Sequence, residues 1–128
     1  MKRVAIVLIA IFLIACRAPS SSSSFTNVSP SELNTMLANK DFLFVNVHIP
    51  FEGDIAGTDL SIPYDQITEP SSLAFLPVDK TAKIVVYCRS GQMSEIAANA
   101  LYALGYTNLY NLDGGMIEWE QQGLEIIQ

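Results

Sequence analysis

The stretch Lys83–Ser94, KIVVYCRSGQMS, decides the fold of this chain. Ile84–Tyr87 is an unbroken run of β-branched and aromatic residues, a pattern typical of a strand buried on both faces of a parallel sheet. After Gly91 the apolar residues adopt helical spacing: Ile96, Ala97, Ala100, Leu101 and Leu104. Gly105 ends this run as a C′ glycine. The sequence therefore predicts a strand, a polar turn and a helix, with Cys88 where the strand ends.

Cys88 would lie at the positive end of that helix. The first turn of a helix has unpaired backbone N–H groups and the positive end of the dipole, and both stabilise an anion. A thiol in that field loses its proton more easily, and the thiolate is the nucleophile. Arg89 would add positive charge. The alternative is that Cys88 is a small buried hydrophobic residue, as most free cysteines are.

Residues 85–124, VVYCRSGQMSEIAANALYALGYTNLYNLDGGMIEWEQQGL, resemble the C-terminal half of a rhodanese domain, the sulfurtransferase fold. The shared features are a strand, a CRSG-type loop, a helix, and a strand that ends in a GG turn before a helix bearing Trp119. We expect Trp119 to pack in the core. The resemblance implies an α/β fold, with one rhodanese-like domain over residues 29–128. Alternating strands and helices likewise predict a parallel central sheet flanked by helices on both faces.

The resemblance also implies sulfane-sulfur transfer. In that chemistry Cys88 is catalytic and takes sulfur from thiosulfate or a persulfide, and then passes it to a thiol or cyanide acceptor. The loop residues that would bind the substrate are Arg89, Ser90, Gly91, Gln92 and Met93. Met93 stands where many loops of this family carry arginine, so we expect weak thiosulfate binding and an effect of Met93→Arg on thiosulfate kinetics. Nothing in the sequence implies a metal or organic cofactor.

The first half of the domain predicts a helix and a strand before a loop. Ser29, Pro30 and Glu32 form a helix start with a capping box, and the helix reaches about Asn39. The segment Asp41–Val47 is typical of a buried strand. Residues 48–63 are rich in glycine and proline and exclude long regular structure.

Three residues near this loop depart from the rhodanese pattern. Asn46 stands for the usual aspartate, His48 for the usual arginine and Asp54 for the usual histidine. His48 is interpreted as a surface or loop-anchoring residue, with a catalytic base as the alternative.

The remaining segments are shorter. Residues 64–76 predict one or two short helical pieces, broken by Pro70 and Pro77. Residues 108–112 predict a further strand. Gly114 and Gly115 form a turn before a final helix that ends near Gly123.

The N-terminus predicts export. Residues 1–15 combine two basic residues with a short apolar run, as in a secretory signal peptide. Residues 13–16, LIAC, resemble a bacterial lipobox, which implies cleavage before Cys16 and acylation of that cysteine. Residues 16–28 would then form a lipidated, serine-rich tether. We expect a domain anchored by lipid to the periplasmic or extracellular face of a bacterial membrane; an uncleaved anchor and a plain secreted protein are the alternatives.

The net charge of the chain limits the classes of partner that we expect. Without residues 1–15 the chain keeps 5 basic and 13 acidic side chains, a net charge near −8. Nucleic acid is therefore not expected as a partner, and membrane attachment should depend on the lipid.

Two other functions compete with sulfur transfer. A phosphatase or arsenate reductase would use the same cysteine but needs a longer anion loop and a clamping arginine. A rhodanese-like module without catalysis would bind a partner or sense redox state through Cys88.

Overall fold

A parallel sheet occupies the centre of the molecule. The computed structural model describes residues 23–128. The elements in chain order are β1 (Thr26–Val28), α1 (Pro30–Ala38), β2 (Leu43–Asn46), β3 (Asp54–Ile55), β4 (Leu60–Ser61), α2 (Pro70–Leu73), β5 (Ile84–Tyr87), α3 (Gln92–Ala103), β6 (Leu109–Leu112), α4 (Gly115–Gln121) and β7 (Ile126–Ile127). Over those residues five strands form a parallel sheet in the order β1-β6-β5-β2-β4. The central strand, β5, has all four residues buried, as predicted.

Helices cover both faces of the sheet. Successive strand residues point to opposite faces, so Val86 packs in a cluster with Ala97 and Leu101 of α3. Its neighbour Val85 packs in a second cluster that holds residues of α1 and α4, including Trp119. The predicted α/β architecture is confirmed, and so is the core position of Trp119.

The predicted signals at the ends of two helices are also confirmed. The Ser29 side chain accepts a hydrogen bond from the Glu32 N–H at 3.1 Å, and the Glu32 carboxylate accepts one from the Ser29 N–H at 3.2 Å. Gly105 follows α3 with a φ of 98°. That conformation is open to glycine at little cost and explains why the helix stops there.

The sheet includes a strand before residue 29, within the segment predicted as a tether. Residues 26–28 form β1, which pairs in parallel with β6, and Val28 is buried. Just before this strand, the Ser24 hydroxyl donates a hydrogen bond to Asn99 of α3. A three-residue strand has too little periodic pattern to be seen in sequence, and pairing covers the edge of β6 that would otherwise be bare. The predicted signal peptide, Cys16 and the start of the tether lie outside the described residues.

Proline at position 70 starts a helix instead of breaking one. Pro70 is the first residue of α2, after Glu69 as N-cap. Its fixed φ and missing N–H suit the first helical position, where the N–H would be unpaired in any case.

The segment of residues 48–63 contains only two-residue strands, β3 and β4, as its composition predicts. β3 pairs with β7 in a small antiparallel ribbon, and the sequence analysis missed β7 because two residues carry no period. Among residues 23–128, none of the helices has the length and hydrophobicity needed to cross a bilayer.

Candidate active site

Cys88 lies at the carboxyl edge of the sheet, between β5 and α3. The loop Arg89–Gly91 makes the turn, and Gly91 is the N-cap of α3 with a φ of 104°. A side chain is strained in that left-handed conformation, so glycine allows the chain to turn at once from strand to helix. Ligand sites in open α/β sheets lie outside the carboxyl ends of the strands, and Cys88 is at such an end.

The Cys88 sulfur lies under the loop and accepts a hydrogen bond from it. The Gly91 N–H points at Sγ with an N···S distance of 3.0 Å. The Ser94 hydroxyl oxygen lies 3.3 Å from Sγ and 3.0 Å from the Gly91 carbonyl oxygen, and its single proton can be donated to one of them at a time. Cys88 is 1% exposed and Ser94 fully buried. The sulfur therefore has a backbone N–H and a hydroxyl beside it, the kind of surroundings that stabilise negative charge.

The start of α4 holds the loop from its other side. The Met116 N–H donates to the Cys88 carbonyl oxygen at 2.9 Å, and the Ile117 N–H donates to the Arg89 carbonyl oxygen at 3.0 Å. These N–H groups have no partner within their own helix, and the loop carbonyls satisfy them. A Cβ atom on Gly115 would lie 2.4 Å from the Cys88 carbonyl oxygen, so this close approach requires glycine.

A second polar network anchors the loop between β2 and β4 to the end of β5. The Tyr87 hydroxyl accepts a hydrogen bond from the Ile55 N–H at 3.0 Å, lies 2.7 Å from the Thr58 hydroxyl and donates to Asp54 at 3.2 Å. Asn46 donates to the same Asp54 carboxylate and to the Gly53 carbonyl oxygen, each at 2.9 Å. Burial, more than the nearby negative charge of Asp54, raises the pKa of Tyr87 well above its ordinary value. Asn46 and Asp54, two of the departures from the family pattern, thus position a loop.

The third departure, His48, binds Glu52. The His48 side chain is 8% exposed, and its Nε2 lies 2.9 Å from a Glu52 carboxylate oxygen. A carboxylate can only accept, so Nε2 carries the proton. The same Glu52 oxygen is 3.4 Å from Nη1 of Arg89, and both of those side chains are about half exposed. His48 therefore anchors the loop, the first of the two interpretations made from sequence.

The five loop residues predicted to bind substrate divide into three groups. Arg89, Ser90 and Gln92 are exposed around the loop, while Gly91 is buried and bonded to the sulfur. Met93 is half-buried and packs against the core cluster that contains Cys88. The sequence analysis missed Ser94, the side chain whose hydroxyl lies beside the sulfur.

Two surface cavities of about 340 and 380 Å³ lie away from Cys88, and neither is lined by that residue or its loop. Among residues 23–128 there is no group of three His, Cys, Asp or Glu side chains placed to hold a metal ion.

Comparison with known proteins agrees with this geometry. The model of the rhodanese-like domain matches residues 29–122. The chain belongs to the rhodanese-like domain family. A rhodanese-like domain protein of Staphylococcus aureus has a similar structure, with a TM-score of 0.65 and 30% identity over 81% of this chain and 100% of that one. A rhodanese-related protein of Thermoplasma volcanium gives a TM-score of 0.66 and 25% identity over 80% and 98% of the two chains.

Two curated relatives contain a similar domain within longer proteins. A tRNA uridine(34) hydroxylase of Erwinia tasmaniensis is 33% identical over 99 residues, which cover 74% of this chain and 28% of that protein. The probable adenylyltransferase/sulfurtransferase MoeZ of Mycobacterium tuberculosis is 33% identical over 100 residues, 76% of this chain and 25% of that protein. This rhodanese-like chain thus spans about a quarter of the length of these relatives.

Proposed function

We propose that this chain is a sulfurtransferase that carries sulfane sulfur on Cys88. The observation that supports it best is the hydrogen bond from the Gly91 N–H to Sγ, at 3.0 Å, at the carboxyl edge of a parallel sheet. The resemblance to a probable sulfurtransferase agrees with this chemistry. We do not extend the tRNA substrate of the hydroxylase relatives to this chain, because its acidic composition opposes nucleic-acid binding.

In the first step the Cys88 thiolate attacks the outer sulfur of the donor. With thiosulfate, a new S–S bond forms and the bond between the two donor sulfurs breaks, its electron pair leaving on sulfite. The product is an anionic Cys88 persulfide, and the charge of −3 is conserved. The Gly91 N–H is placed to stabilise the sulfur anion before and after attack, and the Ser94 hydroxyl joins it when its proton turns from the Gly91 carbonyl oxygen to Sγ.

In the second step an acceptor attacks the outer sulfur of the persulfide. With cyanide, the products are thiocyanate and the Cys88 thiolate; a thiol gives a new persulfide and the same thiolate. No external oxidant or reductant enters either step, so the cycle is two successive transfers through one covalent intermediate.

Cys88 is almost completely buried. At 1% exposure its sulfur presents little surface to a donor in this structure. The same burial favours the second candidate function in its binding form, a rhodanese-like module in which Cys88 is protected from transfer chemistry.

We further propose, from sequence alone, that the domain is exported and anchored to a bacterial membrane through an acylated Cys16. The motif LIAC at residues 13–16 and the serine-rich segment after it support this placement.

Two-substrate kinetics test the proposed reaction. The purified domain is assayed with thiosulfate or a persulfide as donor and cyanide or a thiol as acceptor, varied against each other. Transfer through a Cys88 persulfide gives parallel double-reciprocal lines, and Cys88→Ser abolishes turnover while its far-UV circular dichroism and Tm stay close to wild type. Absence of turnover with every donor and acceptor, or equal turnover in Cys88→Ser, would refute the proposal and favour the binding module.

A further inference from the structure

The charges of this protein are divided between the two edges of the sheet. Residues 23–128 contain four lysine and arginine side chains. Lys40, Lys80 and Lys83 precede the strands β2 and β5 at the amino edge, where Lys40 pairs with Asp59 and Lys83 with Asp41. Arg89 is therefore the one lysine or arginine of this range at the carboxyl edge, beside Cys88.

Seven carboxylates share the carboxyl edge with Arg89. Four follow strands that end there, Glu52, Asp54, Asp65 and Asp113, and three lie in the first turns of helices that begin there, Glu32, Glu95 and Glu118. Clefts lined by one sign of charge change the local concentration and the on-rate of charged ligands. This edge disfavours a substrate that carries net negative charge.

Glu52 forms an ion pair with Arg89. One Glu52 oxygen lies 3.4 Å from Arg89 Nη1 and 2.9 Å from Nε2 of the buried His48 ring. His48 fixes the carboxylate from the protein side, so Glu52 meets the guanidinium beside the loop. A half-exposed ion pair of this kind adds little stability. It nevertheless leaves Arg89 with a counter-charge that a donor anion would have to displace.

We propose that Glu52 selects the sulfur donor by its charge, and that this donor is a persulfide without net negative charge. This inference rests on the proposed sulfur transfer. The Gly91 N–H and the carboxylates act at different distances. The Gly91 N–H stabilises one sulfur anion at 3.0 Å, while the carboxylates at this edge act through space on the charge of the whole donor. A dianion such as thiosulfate is repelled by Glu52, and a donor with an ammonium group is not.

The test is the rate at which Cys88 gains sulfur in a single turnover, followed by intact-protein mass spectrometry. The donors are thiosulfate and cysteamine persulfide, which carries an ammonium group. The variants are Glu52→Gln and, as a matched control, Asp41→Asn, which removes the same charge from an ion pair at the opposite edge. Glutamine still accepts hydrogen bonds from His48 and Arg89, so the loop keeps its contacts.

We expect Glu52→Gln to raise the thiosulfate rate roughly four-fold at an ionic strength of ~0.01 M, taking a separation of ~8 Å and a dielectric constant of ~80. The rate with cysteamine persulfide should not rise in Glu52→Gln. Asp41→Asn should leave the rates with both donors within about 1.5-fold of wild type. The rise in the thiosulfate rate should vanish near ~1 M salt. Equal changes for both donors, or none, would overturn the role of Glu52 while sulfur transfer stands. Loading by neither donor in any variant would overturn both proposals.

Discussion

Replacing Gly115 with alanine tests how α4 supports the cysteine loop. Gly115 has a φ of 60°, and an added Cβ would lie 2.4 Å from the Cys88 carbonyl oxygen and 2.5 Å from that of Arg89. These neighbours are backbone atoms and cannot swing aside as a flexible side chain can. The start of α4 must therefore move away from the loop, which breaks the hydrogen bonds from the Met116 and Ile117 N–H groups.

The cost can be estimated against a control that has the strain without the clash. Gly123 has a φ of 80°, and a Cβ there would meet nothing within 4 Å. Gly123→Ala should cost about 1–2 kcal/mol, the price of a left-handed conformation for an L-residue. Gly115→Ala adds two lost backbone hydrogen bonds at about 0.5–1.5 kcal/mol each, and so should cost about 2–5 kcal/mol.

Urea denaturation of the two variants measures this difference, and thermal melting should show Tm falling by about 4–8 °C for each kcal/mol lost. The single-turnover rate of sulfur loading on Cys88 should fall at least about ten-fold in Gly115→Ala, because the loop no longer aims the Gly91 N–H at the sulfur. It should stay near wild type in Gly123→Ala. Equal destabilisation in both variants together with an unchanged loading rate would refute this account of the loop.

Three further predictions concern other parts of the chain. Removing the hydroxyl beside the sulfur with Ser94→Ala should slow loading about ten-fold, whereas alanine at the exposed Ser90 should not; equal rates would remove Ser94 from the site. Because burial raises the pKa of Tyr87 above 10.0, the unfolded chain loses this proton first, so stability should fall above about pH 10 by up to about 1.4 kcal/mol per pH unit. Urea denaturation is measured from about pH 8 to pH 11. Tyr102→Phe, a change at a half-exposed tyrosine, should show this slope, and Tyr87→Phe should show a shallower one. Parallel curves for the two variants would contradict the assignment of the slope to Tyr87. In a bacterial host, labelled palmitate should enter the full chain and not Cys16→Ser, and label in both would exclude acylation at that cysteine.

The sequence predicted the central part of the fold because its signals are local. Ile84–Tyr87 is an unbroken run of four strand-forming residues, and the helical spacing after Gly91 continues through three turns to Gly105. The strands β1 and β7 were missed because they contain three and two residues and depend on partners far along the chain. Residues 26–28 consequently pair in the sheet, although the serine-rich composition assigned them to the tether.

The sequence predicted the nucleophile of the site, but it did not predict all of the side chains around it. The position of Cys88 follows from the change of period at Gly91, but the Ser94 hydroxyl reaches the sulfur only because α3 starts at Gln92. Counting three residues from the N-cap would have found it. The contact between Glu52 and Arg89 joins residues 37 positions apart, and no local sequence pattern predicts it.

The most direct test of sulfur transfer is to isolate the loaded protein and follow its sulfur. The domain is incubated with donor, freed of it, and analysed as intact protein and as peptides by mass spectrometry before and after a thiol acceptor is added. The account predicts a gain of one sulfur atom on the peptide containing Cys88, its stoichiometric loss to the acceptor, and no gain in Cys88→Ser. Sulfur that never appears on Cys88, or that appears there and cannot be passed on, would contradict it.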